Sequence, residues 1–77
     1  MSELPHYSML IAWSEEDQAY LVTLPEWTTR AHMPITHGGT YQEAALRGQH
    51  ALESLIEQAL ADGKPLPMPA MAEQGVA

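Results

Sequence analysis

Residues 36–45 read THGGTYQEAA. Here the side-chain pattern changes from alternation to helical spacing. Thr40 is a good N-cap residue and Glu43 stands three positions later, which together make a capping box. Gly38 and Gly39 precede the cap, and a tight strand-to-helix turn with one of them at positive φ accounts for the pair. Glycines before a helix can also cradle a phosphate on free backbone N–H groups. The Gly-Lys-Ser/Thr ending of a nucleotide loop is absent, however, and no G-x-G-x-x-G occurs. The Glu43 carboxylate would compete for the same donors and repel the anion. The stretch therefore reads as a structural turn and cap built from Gly38, Gly39, Thr40 and Glu43. A small anion-binding or ligand-binding turn at 37–40 is the lesser alternative.

Downstream, Tyr41 to Asp62 contains no proline and one internal glycine. Tyr41, Ala45, Gly48, Leu52, Leu55, Ile56 and Ala59 follow one helical face. Gly48 weakens a helix by about 1 kcal/mol relative to alanine, so a close approach to a strand or ring is expected there. Gly63 caps the end and Pro65 prevents continuation. Pro65, Pro67 and Pro69 then alternate. That tail reads either as a short edge strand lacking donors on one side or as a polyproline segment, with disorder expected over 70–77 and the domain proper over 1–69.

Upstream, Tyr7, Met9, Ile11 and Trp13 alternate with Ser8, Leu10 and Ala12, which predicts a strand. Tyr20, Val22 and Leu24 predict a second, ended by Pro25. The polar run Ser14–Gln18 joins them as a hairpin loop. Arg30 to Thr36 alternates weakly through Ala31, Met33 and Ile35, and Pro34 places that third strand at an edge or bulge. The fold class is α+β: a three-stranded antiparallel sheet, β-β-β-α, on one long helix. One helix covers one sheet face. Met9, Ile11, Tyr20, Val22 and Leu24 suit it, yet Leu10, Ala12, Ala19 and Leu21 make the opposite face apolar too. Exposed apolar patches mark interfaces. A homodimer or higher homo-oligomer is therefore expected, through that face or an edge strand. The candidate interface residues are Leu10, Ala12, Ala19, Leu21, Trp27 and Met33.

Ten acidic residues face three basic ones, for a net charge of −7. Three scattered cations cannot neutralise a phosphate backbone, so direct nucleic-acid binding is not expected. An acidic surface favours encounter with a basic protein, or simply keeps a small protein in solution. Glu15, Glu16 and Asp17 in the hairpin loop, and Glu53 with Glu57 on the helix, are the candidate partner-facing acids. There is no cysteine, hence no disulfide or thiolate metal site, which suits a reducing cytoplasm. The acidic start has no signal-peptide core. The longest apolar run, Met9–Trp13, is far short of the roughly 20 residues of a membrane span. His6, His32, His37 and His50 lack the dense spacing of a zinc site. Ser8, Ser14 and Ser54 lack a local activating motif. No cofactor, metal or catalytic residue is expected, and an enzyme is the least favoured class.

The order of hairpin, edge strand, glycine turn, capped helix and proline-rich end resembles the HicB-like antitoxins. Tyr7–Ile11, AYLVTLP at 19–25, HGGTYQEAA at 37–45 and GKPLPMP at 63–69 carry the resemblance. It implies a partly degraded ribonuclease-H-like core that inhibits a small basic HicA-type ribonuclease, which cleaves messenger RNA, by protein–protein contact. Two departures stand out. The chain to Ala77 leaves no room for the C-terminal DNA-binding domain of many members, and Trp27–Pro34 replaces a shorter turn. A stand-alone oligomeric adaptor of the same fold, without a toxin, is the alternative.

Overall fold

The structure is a computed structural model that describes residues 6–68. The expectation for 70–77 lies outside the described residues. Strands β1 (Leu10–Ser14), β2 (Ala19–Thr23) and β3 (Thr36–Gly38) precede helix α1 (Tyr41–Ala61). A short 3-10 turn, Pro25–Trp27, follows β2. The strands form one antiparallel sheet in the order β1-β2-β3, with β2 central.

β1 and β2 pair from Leu10 opposite Thr23 to Ser14 opposite Ala19. Side chains alternate between faces along a strand. Ile11, Val22, Trp13 and Tyr20 therefore share one face, and Leu10, Ala12 and Leu21 share the other. The loop is residues 15–18, since Ser14 already belongs to the last rung. Gln18 takes φ 53° there. Its side-chain amide donates to the Glu15 carbonyl at 2.7 Å, and the Asp17 N–H donates to Ser14 Oγ at 3.2 Å.

The helix begins as the sequence implies. Thr40 Oγ1 accepts from the Glu43 N–H at 3.0 Å. Glu43 reaches back to the Gly39 N–H at 2.7 Å, one residue before the usual partner in a capping box. At the other end Lys64 N–H donates to the Ala59 carbonyl and Gly63 N–H to the Leu60 carbonyl. With Gly63 at φ +71°, this is a Schellman ending.

The buried stripe is Ala44, Gly48, Leu52, Ile56 and Ala59. Its centre is rotated from the sequence expectation: Ala44 is fully buried and Tyr41 is exposed. The cause is Gly38. A Cβ there would lie 2.5 Å from the Ala44 nitrogen, so the strand passes directly against the first helical turn. Neither Gly38 nor Gly39 takes positive φ. Gly38 is needed for space, which corrects the conformational reason given above. Gly48 behaves as expected: a Cβ would lie 2.8 Å from both Met9 Sδ and Val22 Cγ1.

The third strand is also corrected. It spans Thr36–Gly38, not Arg30–Thr36. The earlier residues are spent on turning: the Trp27 carbonyl accepts from both Arg30 and Ala31 N–H groups. Pairing with β2 starts only where Ile35 N–H reaches the Val22 carbonyl at 2.8 Å. The Met33–Pro34 peptide is cis.

Residues 64–68 form no strand, so the edge-strand reading of the tail fails for them. They lie as a strap across the end of the fold. Arg30 donates to the Pro65 carbonyl at 2.7 Å, and the Tyr7 hydroxyl donates to the Pro67 carbonyl. Leu66, between them, packs on the core. Both carbonyls, two residues apart, accept from side chains of the domain body. Burial, then the nearby Glu26 carboxylate, push the Tyr7 hydroxyl above its ordinary pKa of 10.0, while Arg30 opposes them. A pKa raised on folding gives stability that is complete below the unfolded value and is lost as pH rises through the folded one. Above pH 10 the unfolding free energy should fall, and Tyr7→Phe should flatten that decline in urea titrations across the alkaline range.

Candidate functional site

The sheet has one packed face and one open face. Val22 and Leu24 are fully buried on the packed side, with Met9, Ile11 and Tyr20 against the same core. This is the assignment the alternation predicts. Trp13 stacks edge-on over Tyr20 at 5.0 Å, and Tyr20 lies 4.2 Å from Tyr41 between ring centroids. These rings continue the packed side beyond the helix N-terminus.

On the open side, Leu10 is 56% exposed, Ala12 is exposed and Leu21 is half-buried. His37, opposite Leu21 on β3, extends this face. The strap does not cover it, because Leu66 packs on the core and so belongs to the helix side. Three of the interface candidates, Leu10, Ala12 and Leu21, are thus brought together on one surface. Ala19 is not available. It is already buried on the last rung, opposite Ser14.

Trp27 is not available to a partner, and Met33 is only half-exposed. Trp27 is only 1% exposed and is the largest fully buried side chain. The 3-10 turn after β2 swings it under the helix end, where Tyr7 meets it edge-on at 5.5 Å and Arg30 covers its ring at 5.6 Å. Met33 packs on the same core, and its sulfur accepts from the Leu24 N–H at 3.4 Å. A tryptophan in an irregular connection carries no periodicity, so its direction could not be read from spacing. A cavity of about 140 Å³ lies beside Trp27, with Arg30, Lys64 and Asp62 at its rim.

The acids are distributed unequally. Glu15 accepts from the Trp13 indole N–H at 3.1 Å, and Asp17 accepts from the Ser14 hydroxyl at 2.9 Å. Both remain exposed, as do Glu16, Glu53 and Glu57. Glu26, which the sequence did not single out, pins the lead-in to β1: Ser8 N–H reaches its two carboxylate oxygens at 3.1 and 3.2 Å. The cations are largely engaged within the fold. Arg47 pairs with Glu43 at 3.0 Å and donates to the His37 carbonyl, while Arg30 holds the strap. The surface presented outward is therefore predominantly anionic. At the 37–40 turn, Glu43 takes both the Gly39 donor and the Arg47 guanidinium. Among the described residues no group of three His, Asp or Glu side chains is placed to hold a metal ion, and no helix is long and apolar enough to cross a membrane.

No family model matches the chain, and neither the curated proteins nor the solved structures returned a match.

Proposed function

We propose that this chain is a non-catalytic binding module of the antitoxin kind. It neutralises a small basic ribonuclease of the HicA type by protein–protein contact, and it works in the cytoplasm. The observation that carries this reading is the open sheet face. Leu10, Ala12 and Leu21 form an apolar strip that no described segment covers. It sits on a molecule of net charge −7 whose two arginines are occupied internally. An apolar strip on a net-acidic molecule fits a basic partner, because the charge steers encounter and the desolvated strip holds the complex. Glu15, Glu16 and Asp17 close one end of the strip and are the acids nearest to it along the chain.

The test is recovery of a small basic protein with the chain from its native cell, followed by titration of the pair. Leu10→Lys combined with Leu21→Asp should weaken that complex at least 100-fold, about 2.7 kcal/mol. Circular dichroism should stay unchanged, since neither side chain supports the helix packing. Unaltered affinity in the double variant would rule out the sheet face. Failure to recover any basic partner would remove the antitoxin reading itself.

A further inference from the structure

The two edges of the sheet are not equivalent. The Val22 carbonyl accepts from Ile35, so Val22 directs its peptide groups toward β3. Successive residues of a strand direct theirs to opposite sides. Leu21 and Thr23 therefore bond to β1, at Ala12 and Leu10, their partners in the register. It follows that Ile11 and Trp13 turn their N–H and C=O groups away from β2, to the side where no described strand pairs with β1. The same alternation leaves the backbone of His37 pointing outward from β3.

The β3 edge is defended. It is three residues long, and Arg47 occupies the His37 carbonyl at 3.2 Å while placing a fixed charge there. Short length and a basic side chain are the usual protections of an edge. The β1 edge has neither. Leu10-Ile11-Ala12-Trp13-Ser14 contains no proline and no charge. Two of the large exposed apolar side chains flank it, Leu10 at 56% on one face and Trp13 at 44% on the other.

We propose that β1 pairs with β1 of a second copy, antiparallel, about a two-fold axis at Ala12. Ile11 then faces Trp13 of the second copy in a hydrogen-bonded pair, and the reciprocal pair forms across the axis, for about four new ladder bonds. Leu10 faces Ser14 of the other chain on the open side. The charge distribution selects this direction. Each copy carries −7, and a parallel arrangement would bring the two Glu15–Asp17 loops side by side. The antiparallel one sets them at opposite ends, about 20 Å apart at strand rise, beyond the roughly 8 Å screening length of physiological salt. The axis stands perpendicular to the sheet. Both helices therefore lie on one side of the joined sheets, and both open faces lie on the other. The pairing does not depend on the identity of any partner that docks there.

The chain has no native cysteine, which makes a single introduced thiol diagnostic. In the proposed register, residue 12 faces its own copy in a non-hydrogen-bonded pair, with Cα atoms about 4.5 Å apart, within disulfide reach. Sedimentation equilibrium should show a dimer of twice the 8.5 kDa chain mass at tens of micromolar. Under mild oxidation Ala12→Cys should link covalently at least ten times faster than Leu21→Cys, which shares its face but lies one strand inward. Trp13→Lys, which puts a charge on the edge, should give a monomer with the wild-type circular dichroism spectrum. A monomer at 100 µM for the unmodified chain overturns the proposal. So does Leu21→Cys linking as fast as Ala12→Cys, which would mean face-to-face packing.

Discussion

Gly38→Ala is expected to destabilise the fold by about 3 kcal/mol or more, beyond the usual range for one added methyl in a core. The added Cβ would meet Ala44 N at 2.5 Å, Ala44 Cα at 2.8 Å and the Glu43 carbonyl carbon at 2.9 Å. All three are backbone atoms of the first helical turn, so no side chain can swing aside. Relief requires the helix to move off β3, which would also disturb the Gly39 to Glu43 and Thr40 to Glu43 cap bonds. A 77-residue domain holds roughly 4–12 kcal/mol. The loss should lower the thermal midpoint by on the order of 15 °C. Gly48→Ala is the internal control. Its Cβ meets the flexible Met9 thioether and one Val22 methyl, and alanine returns about 1 kcal/mol of helix propensity. It should therefore cost clearly less than Gly38→Ala in the same urea series. Equal losses at the two sites would show that the close strand passage at Gly38 is not the constraint described.

Trp27→Ala is the second large effect. Truncating a buried Trp costs about 3–5 kcal/mol, a large share of what so small a domain holds. The same change would uncouple Tyr7 and Arg30, which both rest on the indole ring. The variant should be largely unfolded at 37 °C by circular dichroism. Trp27→Phe should lose much less. The indole N–H is buried and has no hydrogen-bond partner among the described residues, so removing it relieves a desolvated donor while leaving a ring for Tyr7 to meet. The loss with alanine should appear in the isolated chain, before any partner is added. A Trp27→Ala protein that melts normally but fails to associate would return this residue to the surface.

The sequence made the hairpin and the helix legible because each has a strong period and clear punctuation. Tyr20, Val22 and Leu24 alternate up to Pro25, and the structure buries or half-buries all three on the helix side. Thr40, Glu43 and Gly63 mark the helix ends through bonds local to the chain, and those bonds form. The 26–35 connection was illegible for the opposite reason. Its weak alternation through Ala31, Met33 and Ile35 imitated a strand, whereas backbone bonds to the Trp27 carbonyl wind it into a turn. Trp27 consequently looked outward and proved to be core, and Met33 proved to be half-buried against it. The rotation of the helix stripe toward Ala44 was equally hidden, since it depends on how closely β3 approaches, a tertiary distance. Of the candidate surface, the part on regular strands was readable: Leu10, Ala12 and Leu21 share a face by period two alone. The unequal protection of the two sheet edges required the register and the position of Arg47.

The strap over the end of the fold also bears on kinetics. The Tyr7 to Pro67 bond joins positions 60 residues apart, and the Arg30 to Pro65 bond joins positions 35 apart. The β1–β2 hairpin closes across a four-residue loop, at far smaller entropic cost. Local pairings of that kind are expected first and long closures last, so the strap is expected to close after the rate-limiting step. Contacts formed after the barrier leave the folding rate alone and slow escape from the native state. Cutting the strap with Arg30→Ala should therefore raise the unfolding limb of a chevron and leave the folding limb in place. In that sense residues 64–68 act as a latch, governing how long the folded chain persists once made.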